Sequence, residues 1–104
     1  MKKESENIVQ ADTANGKQLG EAIVEAVENQ IKENNPPETK ITLNRLMSLG
    51  ETRENAMRYI ASVLSIEIFD VVQEEKPFNE NRYIANSNKL PKLPEGMSHK
   101  ESNK

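Results

Sequence analysis

Apolar residues recur at helical spacing along much of the chain, and the clearest example lies in residues 17–34. An apolar residue occurs there at every fourth position, with alanines beside the row. This spacing places the apolar side chains on one face of a helix. The row consists of Leu19, Ile23, Val27 and Ile31. The helix should end before Pro36 and Pro37, because the residue preceding a proline avoids the helical region.

Two further helices are predicted on either side of Gly50. Residues 38–49 form a shorter helix, and its apolar row consists of Leu43, Leu46 and Met47. Gly50 is expected to end this helix, because glycine adopts a left-handed conformation without strain. Thr52 is a suitable N-cap for a long third helix over residues 53–75. The turn therefore joins two consecutive helices.

The third helix is apolar over more than one face in its second half. Its main row consists of Met57, Ile60, Leu64, Ile68 and Val71. Several other apolar residues lie outside this row. A helix with such a wide apolar surface is usually central to a bundle or buried in a dimer. The candidate interaction surface consists of Tyr59, Ile66, Phe69 and Val72.

A short fourth helix is predicted after Pro77, with Asn79 as its cap and with Tyr83 and Ile84 inside it. The pattern contains no pair of strands joined by a hairpin turn. We therefore predict an all-α fold, which is a small helical bundle of three main helices plus a short fourth.

The two ends of the chain lack a sustained apolar period. Residues 1–16 mix charged and small polar residues, and residues 87–104 contain two prolines, a glycine and many polar residues. Segments of low hydrophobicity bury too little apolar surface to order on their own. The predicted organisation is a flexible N-terminal arm over 1–16, a helical domain over 17–86 and a flexible C-terminal tail over 87–104.

Composition narrows the functional classes. The 104 residues suit one domain, and the net charge of -3 makes an extended contact with nucleic-acid phosphates unfavourable. The chain has no cysteine, which excludes disulfides, thiolate catalysis and cysteine-ligated metals. No apolar run approaches the ~20 residues that span a bilayer, and the first ten residues do not have the pattern of a secretory signal. The expected location is the cytoplasm.

Residues 51–58 have the layout of a helix-turn-helix reading segment. Arg53, Asn55 and Arg58 are residue types that bind base edges in the major groove. Glu51 and Glu54 stand among them, however, and no basic cluster supports the contact. DNA binding is therefore the less favoured interpretation, and a helical hairpin that only packs two helices together is preferred.

Acidic side chains suggest a metal or acid–base site as a further alternative. Glu21, Glu25 and Glu28 form a row on the first helix. Dimetal sites in bundles combine such carboxylates with a Glu-x-x-His motif, and the only histidine, His99, lies in the predicted tail. We therefore expect the row to be a solvated face without a metal ion.

Glu67 is the most unusual carboxylate because it stands between Ile66 and Ile68. A buried carboxyl group with a raised pKa can act as an acid or base. It can equally form a structural ion pair, and the candidate partners are Arg45, Arg58 and Arg82. The ion pair is preferred because no second catalytic group accompanies Glu67 in the sequence.

Several short motifs together resemble a family of small bacterial all-helical proteins that is catalogued only as a domain of unknown function. The motifs are VENQ, PPE, RLMSLG, the Arg-x-x-Ala start of the third helix, and KPF followed by RY. The resemblance covers about residues 19–94. It implies a helical scaffold, and the family supplies no established activity.

The resemblance also concerns two pairs of histidines that many members of the family carry, one pair on the first helix and one on the third. Paired histidines of this spacing bind transition metals or transfer protons. The equivalent positions in this sequence are Gly20, Val24, Glu54 and Arg58. Because none of them is histidine, the resemblance implies the shared fold but no metal site here.

Taken together, these patterns favour a non-enzymatic helical interaction module that self-associates as a homodimer or binds another protein. No catalytic residue, cofactor or metal is predicted. The alternative is a metal- or ligand-binding protein, or an enzyme, with its site around Glu67 or the carboxylates of the first helix.

Overall fold

The computed structural model describes the backbone of residues 3–94 and the side chains of residues 18–94. Its helices are α1 (Lys3–Glu33), α2 (Pro37–Ser48), α3 (Arg53–Gln73) and α4 (Glu80–Lys89). No strand occurs between residues 3 and 94. The predicted all-α bundle of three main helices and a short fourth is therefore confirmed. None of these four helices is both long and apolar enough to cross a membrane.

The helix ends follow local backbone chemistry. The backbone N–H of Asn55 donates to Thr52 Oγ1 at 3.0 Å, so Thr52 caps α3 as predicted. Gly50 has a φ of 106°, a backbone conformation that is strained in any residue with a side chain. Asn79 caps α4 by accepting from the Arg82 backbone N–H at 3.0 Å. These short-range contacts fix where each helix begins and how sharply the chain turns.

Both α2 and α3 contact all three other helices, so these two helices form the centre of the bundle. The buried apolar side chains of all four helices and of the segment after α4 meet there in one core. The core consists of Ile23, Val27, Leu43, Leu46, Ala56, Met57, Ile60, Val63, Leu64, Tyr83 and Leu90. Truncating one large side chain in such a core typically costs about 2–5 kcal/mol. Most of the stability of α3 therefore comes from this inner face.

The helix predicted to start at residue 17 starts at Lys3 instead. The predicted N-terminal arm over 1–16 thus overlaps this helix from residue 3 onward, and its flexibility stays a prediction. These residues carry no regular apolar row. Apolar spacing was the signal on which the prediction depended, and it gave no sign of a helix in that stretch.

The predicted start of the C-terminal tail at residue 87 falls inside α4. Ser87 and Leu90 are fully buried, and Leu93 packs partly against the core. These contacts attach the segment to the bundle at least as far as Leu93. The remainder of the predicted tail, residues 95–104, lies outside the residues that the structure describes.

Candidate functional site

The carboxylate of Glu67 is fully buried and is bound by a single arginine. Arg82 Nε donates to Glu67 Oε2 at 2.7 Å, and Arg82 Nη2 donates to Oε1 at 3.0 Å. Arg82 Nη2 also donates to the Asp70 carboxylate. The hydrogen bonds to Glu67 and then to Asp70 raise the pKa of the Arg82 guanidinium. Of the three arginines considered as partners, Arg82 is the one that binds Glu67.

This arrangement gives Glu67 a structural role. Both of its oxygens accept hydrogen bonds from one planar guanidinium, a geometry that holds the side chain in place. The pair joins α3 to α4 across the edge of the core. A carboxylate held in this way has neither oxygen directed at a substrate, so it is poorly placed for acid–base chemistry.

A second set of buried polar side chains connects α1, α2 and α4. The Tyr83 hydroxyl donates to Gln30 Oε1 at 2.8 Å. The Thr39 hydroxyl lies 2.7 Å from the same oxygen and 3.1 Å from the Tyr83 hydroxyl, and it donates its one proton to either of them. Burial raises the pKa of Tyr83, and its hydrogen bond with Thr39 acts in the opposite direction. Gln30 precedes Ile31 of the apolar row in the sequence, but nothing in the pattern pointed to these two partners.

Arg45 fixes the far end of α4. Arg45 Nη1 donates to the Leu90 carbonyl at 2.6 Å, and Nη2 donates to the Ser87 carbonyl at 2.9 Å. The last carbonyls of a helix have no intrahelical partner, and a basic side chain there also suits the helix dipole. Sequence analysis placed Arg45 among the candidate partners of Glu67, whereas its partners are these backbone carbonyls.

A groove with a volume of about 1080 Å³ lies between α1 and α3. Its apolar lining consists of Ile23, Val24, Met57 and Ala61. The carboxylate row predicted on the first helix, Glu21, Glu25 and Glu28, lies along its α1 wall. Within residues 18–94, no three or more His, Cys, Asp or Glu side chains come close enough to hold a metal ion. The row is therefore part of a groove wall.

Two ion pairs border this groove. Arg53 donates to both oxygens of Glu28, at 2.8 and 3.0 Å, and this bond lowers the pKa of Glu28 and raises that of Arg53. Arg58 Nη2 donates to Glu54 at 3.1 Å within α3. Both arginines of the segment considered for DNA reading are thus engaged with carboxylates, which disfavours their binding to phosphates.

The four positions singled out by the family resemblance also line this groove. Gly20 and Val24 lie on its α1 wall, and Glu54 and Arg58 lie on its α3 wall. A Cβ added at Gly20 would meet open space, and Val24 packs partly against the core. The structure therefore brings these residues to one place, where they form an ion pair and an apolar patch.

The predicted interaction residues lie on the outer side of α3. We refer to Tyr59, Ile66, Phe69 and Val72 as the outer ridge. Phe69 is 57% exposed and Val72 is 64% exposed, whereas Tyr59 and Ile66 are half-buried. Nine residues separate Phe69 from the buried Ile60, which is two and a half helical turns, so these side chains point in opposite directions. Phe69 and Val72 thus present large apolar groups to solvent, whereas Tyr59 packs partly against the core.

Comparisons with protein-family models, with curated proteins and with solved structures found no match to this chain. The resemblance described from its motifs accordingly stays a prediction.

Proposed function

We propose that this chain is a non-enzymatic helical interaction module that self-associates through the outer ridge of α3. The observation that carries the proposal is the exposure of Phe69 and Val72, at 57% and 64%, on one of the two helices at the centre of the bundle. Large aromatic and aliphatic side chains are the usual anchors of protein interfaces. The chain has only two phenylalanines, and one of them occupies this position.

The spacing of the ridge supports antiparallel pairing of two α3 helices. A two-fold axis between Ser65 and Ile66 places Phe69 of one copy opposite Ser62 of the other. A large side chain then meets a small one, which is the complementarity that a close helix contact requires. One patch serves both copies, as two-fold symmetry demands.

Charge also supports the antiparallel arrangement. Arg58 lies in the first half of α3, and the exposed Glu74 and Glu75 follow its last turn. Antiparallel pairing brings Arg58 of one copy towards these glutamates of the other. Parallel pairing would instead place like charges side by side and align the two helix dipoles, and both effects are unfavourable.

The metal-site or enzyme alternative has less support from the geometry. Glu67 is held by Arg82, and Glu28 is held by Arg53.

We propose the cytoplasm as the compartment of the association. A partner other than a second copy is the outcome to consider if the chain proves to be monomeric.

Sedimentation equilibrium tests the proposal. The wild-type chain should give twice its mass of 11.8 kDa at micromolar concentration. Phe69→Ser combined with Val72→Ser should return the mass to that of one chain. The matched control is Ile41→Ser combined with Leu49→Ser, because both residues are 61% exposed but lie away from α3. A monomeric wild type, or equal effects of the two double variants, would overturn self-association through the ridge.

A further inference from the structure

The groove between α1 and α3 has the two features of a helix-binding site. Its lining includes the apolar side chains of Val24 and Ala61, which are only partly buried by the core. Charged side chains stand at its edges. Amphipathic helices bind in grooves of this type by placing their apolar face inside and their polar face at the rim.

The charge of the rim is negative. Four glutamates and two arginines line the groove, which gives a net charge of -2. Three of the glutamates, Glu21, Glu25 and Glu28, follow one another at intervals of four and three residues on the α1 wall. Residues at this spacing share one side of a helix, so they form a continuous acidic edge. Both arginines bind carboxylates of the rim itself.

The length of the groove sets the size of its occupant. Its α1 wall extends from Gly20 to Glu28, which corresponds to about 12 Å at the helical rise. Its α3 wall extends from Arg53 to Ser65, or about 18 Å. Two to three turns of a helix match these lengths.

From these observations we propose that the groove binds a short amphipathic helix of a partner protein, with leucine-like residues on one face and lysine or arginine on the other. The apolar face packs between Val24 and Ala61, and the basic face meets the acidic edge formed by Glu21 and Glu25. Acidic ligands such as nucleic acids are disfavoured by the same charge. The apolar and acidic residues that carry this proposal are not members of the outer ridge, although the α3 wall of the groove shares Ser62 and Ser65 with the proposed contact between two copies.

Three synthetic peptides of fourteen residues test the proposal against the full chain by fluorescence anisotropy. The first has leucines on one helical face and lysines on the other. The second replaces the lysines with glutamates, and the third replaces the leucines with serines. We expect the first peptide to bind at least about tenfold more tightly than either of the others, because it alone matches both the apolar lining and the charge. The proposal would be overturned if the second or the third peptide bound as tightly as the first.

A pair of variants then locates the site. Glu25→Lys reverses a charge at the rim, and Glu33→Lys makes the same change at an exposed position of α1 outside the groove lining. Glu25→Lys should weaken binding of the first peptide by about tenfold, and Glu33→Lys by less than about twofold. Equal effects would mean that the peptide responds only to net charge, and the groove would be excluded.

Nuclear magnetic resonance provides the readout that does not depend on affinity. Addition of the leucine–lysine peptide should shift the backbone amide signals of Val24 and Ala61. Shifts concentrated at Phe69 and Val72 would instead place the peptide on the outer ridge and would overturn the assignment to the groove. Self-association is measured separately by sedimentation, so failure of either proposal is recognised without the other.

Discussion

The two sides of α3 differ in which kind of side chain they bury and which they expose. The side facing α4 buries the Glu67 carboxylate and gives it a partner in Arg82. The outer side exposes apolar groups, with Phe69 and Val72 in contact with solvent. Buried polar groups with partners hold one chain together, whereas exposed apolar groups gain stability from a second molecule. The difference directs the search for function to the outer side.

Replacing Arg82, the cation on the side of α3 that faces α4, should give the largest loss of stability. Arg82→Met leaves the Glu67 carboxylate buried without its partner, which is strongly destabilising. We expect the melting temperature to fall by about 10 °C or more. Adding Glu67→Gln should recover part of the loss, since it removes the buried charge. Thermal unfolding followed by circular dichroism measures both variants, and an unchanged melting temperature in Arg82→Met would contradict the structural role of the pair.

Tyr83→Phe should have an intermediate effect on the same side. The variant loses the hydrogen bond to Gln30 at the cost of about 1 kcal/mol. Because burial raises the pKa of Tyr83, its contribution is fully present below about pH 10 and is lost as the pH rises through the folded pKa. Urea titrations at neutral and alkaline pH should therefore show a smaller alkaline loss in the variant. An identical alkaline loss in both proteins would show that Tyr83 is not its source.

Arg53→Gln should have a small effect at the groove rim. The pair with Glu28 is about half exposed, so we expect a loss of about 0.5 kcal/mol or less at neutral pH. The pKa of Glu28 is lowered, so the contribution is present above the pH at which an unfolded glutamate titrates. It is lost as the pH falls through the folded pKa. Urea titrations should give a difference at neutral pH that shrinks as the pH is lowered through the acid range; a difference that does not change with pH would contradict this assignment.

Phe69→Ser should change the stability of the monomer least of all. Its side chain is 57% exposed, so the free energy of unfolding of the monomeric chain should stay within about 0.5 kcal/mol of the wild type. Association should nevertheless weaken strongly, because the ridge loses its aromatic anchor. Dilute urea titrations and sedimentation measure the two properties separately. A large loss of monomer stability would show that Phe69 belongs to the core and that the two sides of α3 are not as different as described.

The features that sequence predicted well are local ones. The helical hairpin around Gly50, with Thr52 as the next cap, depends on residues within a few positions of each other. The exposure of Phe69 follows from its position outside the main apolar row of α3. Short stretches of sequence determine such features, because helix ends and helix faces depend on nearby residues.

The features that sequence could not decide depend on distant partners. Glu67 had three possible arginines, and only the packing of α4 selects Arg82. The shared contact of Tyr83 and Thr39 with Gln30 joins residues separated by up to 53 positions. Leu90 was missed because a single leucine beside a proline has no periodicity, although the core buries it completely. Helical periodicity carries no information on contacts of this kind.

Cysteine cross-linking tests the central claim most directly, because the natural chain contains no cysteine. The proposed two-fold axis places Ile66 beside its own copy, whereas Tyr59 lies about 20 Å from its copy along the helix axis. Under mild oxidation, Ile66→Cys should form a disulfide-linked dimer and Tyr59→Cys should stay monomeric on a non-reducing gel. A dimer from neither variant, or an equally rapid dimer from Tyr59→Cys, would contradict antiparallel self-association through α3.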